Sequence, residues 1–179
     1  SRVAAARPFW YLAATLLAVF VYFYGLDSQH IPRNGDEDVY AHITRLTAQS
    51  GQLLPLQSAL DNMRNTKPPL LFWQGIASTH WGQQWDWWHL RYHSVVYTLL
   101  TALLLFFLGK KIGGQAETGF IAALTFMAFF STYRYGRPFL VNPAEVFWFF
   151  LPVITLLYWR PLSFESRLWI RLLLVIEVG

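Results

Sequence analysis

Long uncharged apolar runs alternate along the chain with short, mostly basic breaks, and one long polar stretch sits near the N-terminus. The first run, Phe9 to Gly25 (FWYLAATLLAVFVYFYG), reaches about 26 Å as a helix, enough to cross a bilayer's hydrocarbon. It closes on Tyr22, Phe23 and Tyr24 rather than on small residues, which disfavours signal-peptide cleavage. Further runs over 92–108, 120–135 and 139–159 predict spans two to four, ending near Lys110-Lys111, Arg134 with Arg137, and Arg160. Another apolar segment opens at Leu168 and predicts a fifth span cut short at Gly179, too few residues to cross about 30 Å.

The stretch 26–91 between the first two spans reads as an outer loop carrying two surface helices. Over 36–50, Val39, Tyr40, Ile43 and Leu46 recur on one face, Asp36 opens the helix and Gly51 follows its end. Such an amphipathic element lies along a membrane surface. Over 68–82, Pro68-Pro69 suits a first turn, where amide donors are unpaired anyway, and the apolar Leu70–Trp81 is too short to span. Tryptophans at 81, 85, 87 and 88 mark the water boundary.

Composition agrees with a bilayer. Of 179 residues 55% are hydrophobic and only 13% charged, with nine tryptophans; a soluble domain carries roughly 25% charged residues. The absence of cysteine excludes disulfides and thiolate metal sites. A net charge of +4, scattered along the chain, argues against nucleic acid and for anionic lipid headgroups or phosphates. With the N-terminus cytoplasmic, Arg2, Arg7, Lys110, Lys111, Arg160, Arg167 and Arg171 fall densely on the inner side. Arg33, Arg45, Arg64, Lys67, Arg91, Arg134 and Arg137 are spread over the outer one. The expected class is an all-α integral membrane protein, a multi-span bundle.

Four groups could carry chemistry. Asp36-Glu37-Asp38 is the densest charge in the chain. Carboxylates there cap a helix start, and can equally take a proton from a nucleophile or hold a divalent metal. Lys67 precedes a helix start, where a cation opposes the dipole; a phosphate partner explains it, as does snorkelling at the interface. At the top of span four, Asn142 and Glu145 share one helical face. An acidic residue in a spanning segment is a functional candidate, although Glu145 lies near the water boundary. His89 and His93 have the i, i+4 spacing of a metal pair but lack the zinc-protease glutamate, which favours an interface role.

Taken in order, Gly-Asp36-Glu37-x-x-Tyr40-Ala41, Lys67-Pro68-Pro69-Leu-Leu-Phe-Trp73, Leu90-Arg91, and Gly136-Arg137 with Asn142-Pro143 resemble a known family. The chain is similar, from about Phe9 to Arg160, to the N-terminal part of a GT-C fold glycosyltransferase of the protein O-mannosyltransferase superfamily. It is most like the bacterial aminoarabinose (lipid A) transferase branch. The resemblance implies an inverting enzyme of the bacterial inner membrane. Such an enzyme moves a sugar from a polyprenyl-phosphate carrier to a lipid, glycan or protein acceptor on the periplasmic face. It implies Asp36 as the catalytic carboxylate with Glu37 in support, Lys67 and Arg137 toward the donor phosphate, and Tyr40, Asn142 and Glu145 as candidates for a second site.

Two departures stand out: the family usually has aspartate where this chain has Asn142, and the aminoarabinose branch has a metal-binding glutamate where this chain has Thr66. A different acceptor is therefore expected and zinc is not predicted. Family members are longer, with further spans that complete the site. The competing class is a transporter or non-catalytic membrane subunit whose outer loop binds a partner. A transporter should carry mid-membrane polar residues, and spans one to three have hardly any.

Overall fold

A computed structural model describes residues 2–29, 31, 35–59 and 67–158, with side chains from Phe9 onward. The expected fifth span from Leu168 lies outside the described residues, as do Arg33, Arg64, Thr66, Arg160, Arg167 and Arg171. Every regular element within them is helical: α1 (Arg2–Phe23), α2 (Gly35–Ser50), α3 (Leu70–Ser78), α4 (Trp87–Gly113), α5 (Ala116–Ala128), α6 (Phe130–Tyr135) and α7 (Asn142–Tyr158).

Helix α4 is long and apolar enough to cross a membrane; Phe9–Phe23 of α1, α5 and α7 are shorter apolar helices. Their outer faces are apolar as well, with Leu12, Leu16, Leu17 and Phe20 exposed on α1 and Phe149 on α7. Such broad apolar exposure is consistent with a membrane helical protein.

The expected spans need three corrections. The second helix starts at Trp87 rather than 92, because Asp86 caps it: Asp86 Oδ1 accepts from the His89 amide at 2.9 Å and Oδ2 lies 2.6 Å from His89 Nδ1. The third, expected unbroken over 120–135, breaks at Phe129, which adopts an extended conformation between α5 and α6. Tertiary contacts of Tyr133 with Arg137 and Tyr22 hold the displaced turn. The fourth starts at Asn142 rather than 139, because 136–141 run as a buried non-helical segment tied to α2.

The surface helix over 68–82 is likewise shorter. Thr79, fully buried, donates its hydroxyl to the Gly75 carbonyl at 2.7 Å, and His80 and Trp81 then turn left-handed with φ of 50° and 57°. The chain thereby leaves α3 after Ser78.

Two cores result. The first gathers Tyr40, Ile43, Leu71, Phe72, Leu90 and Phe139, so α2 buries its apolar face against α3 and the 136–141 segment. Close approach there requires Gly75, whose added Cβ would meet Phe139 and Thr44 at 2.9 Å each. The second joins α1, α4 and α5 through Tyr22, Leu26, Val95, Ala102 and Met127.

The Asp86 cap gives a first prediction. Burial works to raise its pKa, but the bonds from His89 outweigh it and hold the carboxyl below its ordinary value. Its stabilisation is therefore present above the unfolded pKa and fades as pH falls through the depressed folded one. Asp86→Ala should cost about 1 kcal/mol, read as a melting temperature lower by roughly 2–4 °C. That difference should shrink in acid.

Candidate active site

Local sequence decides which carboxylates of the acidic triplet face inward. On α2, Glu37 shares its face with Tyr40, Ala41 and Thr44 and is fully buried, whereas Asp36 and Asp38 are exposed. Glu37 meets Arg91 of α4, also fully buried, in a two-pronged pair: Nε to Oε1 at 2.7 Å and Nη2 to Oε2 at 3.1 Å. Glu37 Oε1 also accepts the Phe139 amide at 2.8 Å, while Arg91 Nη1 donates to the Leu26 and Ser28 carbonyls. The Trp87 ring covers the guanidinium at 4.6 Å. A buried pair this well supplied with partners recovers much of its desolvation penalty. It locks together the exit of α1, the first turn of α2, the start of α4 and the 136–141 segment.

Arg137, expected beside the donor phosphate, is buried against the end of α1. It is 5% exposed and donates to the Tyr22 and Tyr24 carbonyls at the end of α1 and to the Tyr133 hydroxyl, whose ring lies 4.6 Å away. Burial pulls its pKa below the ordinary guanidinium value, with the Tyr133 group opposing and the Arg91 charge assisting. The carbonyl end of α1 is the negative end of its dipole, which suits two arginines.

Above this buried lattice lie the remaining candidates. Tyr40, one turn after Asp36, is nearly buried and packs edge-on against Phe72 of α3 at 5.8 Å. Its phenol pKa is raised by burial first, then by the charges of Asp36 and Glu145, so the three groups share one electrostatic neighbourhood. Glu145, in the first turn of α7, is exposed and lines a cavity of about 390 Å³ with Pro68, Leu70, Leu71, Trp148 and Phe149. Of the candidate residues Glu145 alone lines this cavity, while Lys67, exposed, directly precedes Pro68 of its wall. Asn142 opens instead onto a second cavity on the other side of α7.

The histidine pair is engaged at the head of α4: His89 on Asp86, and His93 stacked on Tyr92 at 4.0 Å with Nδ1 3.4 Å from the Leu90 carbonyl. Among the described residues no group of three or more His, Asp or Glu side chains is arranged to hold a metal ion. A metal on Asp36 would take its further ligands from elsewhere. Sequence reasoning missed the roles of Arg91 and Phe139. A lone arginine at the head of an apolar run was the available signal for the first, and nothing signalled the amide of the second.

The family model described as "Dolichyl-phosphate-mannose-protein mannosyltransferase" matches residues 33–178. The chain is 28% identical over 141 residues to undecaprenyl phosphate-alpha-4-amino-4-deoxy-L-arabinose arabinosyl transferase 2 of Proteus mirabilis (strain HI4320), covering 76% of this chain and 25% of that enzyme. The chain thus spans about a quarter of the relative's length. No solved structure matches.

Proposed function

Since the chain belongs to the dolichyl-phosphate-mannose-protein mannosyltransferase family, we propose that it is the N-terminal part of a multi-span membrane glycosyltransferase that uses a polyprenyl-phosphate-linked sugar. The observation that carries this reading is the cavity between α3 and α7, apolar along most of its wall, with Glu145 in it and Pro68 beside Lys67. The lipid tail lies in that groove and the phosphate reaches Lys67 at its mouth. Asp36 takes the proton from an acceptor hydroxyl. The oxygen attacks the anomeric carbon from the face opposite the phosphate, inverting it, and the carbon–oxygen bond to phosphate breaks. Charge growing on the leaving phosphate is met by Lys67. The acceptor is a lipid, glycan or protein hydroxyl on the periplasmic side.

Glu37 and Arg137 act beneath this as positioning residues: the first fixes the turn that carries Asp36, the second fixes the end of α1. Tyr40, a phenol that stays protonated at neutral pH, supplies a neutral hydrogen-bond donor one helical turn from Asp36. A divalent metal on Asp36, completed by ligands beyond the described residues, is compatible with the same chemistry and would lower the acceptor's pKa.

Lys67→Gln in the full-length protein tests the phosphate assignment. Binding of undecaprenyl phosphate should weaken by roughly tenfold, the scale of one charge-assisted contact, with the melting temperature unchanged because Lys67 is exposed. Equal affinity in the variant would remove Lys67 from the donor site.

A further inference from the structure

One exposed face of α4 runs from apolar to basic. Val96, Leu100, Leu103 and Phe107 recur every three or four residues and are all exposed. Three and four residues after Phe107 the same face presents Lys110 and Lys111, both exposed. Beside it α7 exposes Val153 and Leu157 and ends at Tyr158. We propose that this face binds one anionic glycerophospholipid, its acyl chains along the apolar strip and its phosphate at the two ammonium groups. Such a site requires no sugar transfer, only that α4 crosses the membrane.

Depth fits a lipid. Lys110 stands about 15 Å along the helix from Leu100, which is one leaflet's share of a hydrocarbon core about 30 Å thick. Trp87 and Trp88, about 34 Å from Lys110 at the other end of α4, sit where an aromatic belt meets the opposite headgroups. The lysines therefore lie at headgroup level, and the strip before them faces acyl chains.

Side-chain size separates lipid from a neighbouring helix as the occupant. Where α4 packs on α5 it presents Gly109, at which an added Cβ would meet the Thr118 carbonyl oxygen at 2.9 Å and Gly119 at 3.0 Å. Small residues of that kind let helices approach in a bilayer, and hydroxyl or amide groups hold them together. The strip has neither, only bulky hydrocarbon side chains. Tyr158 beside it has already given its hydroxyl to the Phe107 carbonyl at 2.6 Å, and the two rings meet edge-on at 6.0 Å.

Charge selects the headgroup. The Lys111 ammonium lies 4.9 Å from the centre of the Tyr158 ring, which draws it toward the seam between α4 and α7 instead of out into water. Neither lysine forms an ion pair or hydrogen bond with a described residue. The carbonyl end of α4 favours cations, yet two adjacent ammonium groups still repel each other and leave net positive charge at the lipid surface. A phosphate whose headgroup carries no cation answers both. A zwitterionic headgroup brings its own positive group to the same place and gains less.

The test titrates the full-length protein, in detergent micelles, with dioleoyl phosphatidylglycerol or dioleoyl phosphatidylcholine and counts bound lipid by native mass spectrometry. Each lysine near an anionic headgroup is worth several-fold in affinity, so wild type should prefer phosphatidylglycerol by about tenfold. Lys110→Gln combined with Lys111→Gln should bring the two lipids within about twofold of each other. Arg45→Gln combined with Arg134→Gln removes the same charge from exposed positions elsewhere and should keep the preference. Phosphatidylglycerol with a photoreactive group in one acyl chain should label 96–107 and 153–158 in wild type. Equal affinity for the two lipids in wild type, or a preference unchanged by the lysine pair, overturns the site. So does an equal loss in the arginine pair, which makes the attraction a property of net charge, or label absent from 96–107, which gives the strip to another part of the protein. Sugar transfer enters none of these readouts, and its failure leaves them standing.

Discussion

Replacing Arg91 by methionine is expected to destabilise the fold by about 3–5 kcal/mol, the usual cost of leaving a buried charge without its partner. Glu37 would remain in a site with no exposure to water, with only the Phe139 amide as partner. The Leu26 and Ser28 carbonyls would also lose their donor, so the exit of α1 loosens together with the first turn of α2. Denaturant unfolding of the purified protein reads the effect, and a loss under about 1 kcal/mol would show that the pair does not hold these elements together. The double replacement Glu37→Leu with Arg91→Met should recover part of the loss, since an apolar pair removes the desolvation penalty. Recovery stays partial because the Leu26 and Ser28 carbonyls and the Phe139 amide lose these side-chain partners.

That pair also marks where sequence reasoning stops. The apolar runs located α1, α4 and α7, because a helix that faces an apolar environment repeats the same residue types along its length. The amphipathic spacing of Tyr40 and Ile43 located α2. What local pattern could not carry was the direction of individual charges. Asp36 and Glu37 are adjacent and chemically alike, yet the turn of α2 exposes one and buries the other completely. Only the arginine 54 residues away explains why burial is tolerated. The burial of Arg137 was hidden for a related reason: its partners, the Tyr22 and Tyr24 carbonyls, are backbone groups more than a hundred residues distant. The break at Phe129 was hidden because Phe-Phe-Ser-Thr-Tyr continues an apolar helical pattern, and tertiary contacts at Tyr133 decide otherwise. The motifs around Asp36 and Lys67 were legible as short strings, and with them the family, while the cavity that Leu70, Leu71 and Glu145 line depends on how α3 and α7 are placed by elements distant in sequence.

The largest functional effect should come from Asp36→Asn. Asparagine keeps the size and most of the helix-capping ability of aspartate, and position 36 is exposed, so folding should be unaffected. What disappears is a negative base one helical turn before Tyr40, whose phenol feels its charge. General base catalysis is worth roughly 10²–10⁴-fold in rate. Transfer of labelled sugar from a polyprenyl-phosphate donor by the full-length Asp36→Asn protein, compared with wild type in the same membranes, tests the central claim most directly. The account predicts a rate at least about a hundredfold lower with donor binding retained; wild-type transfer by this variant would contradict it.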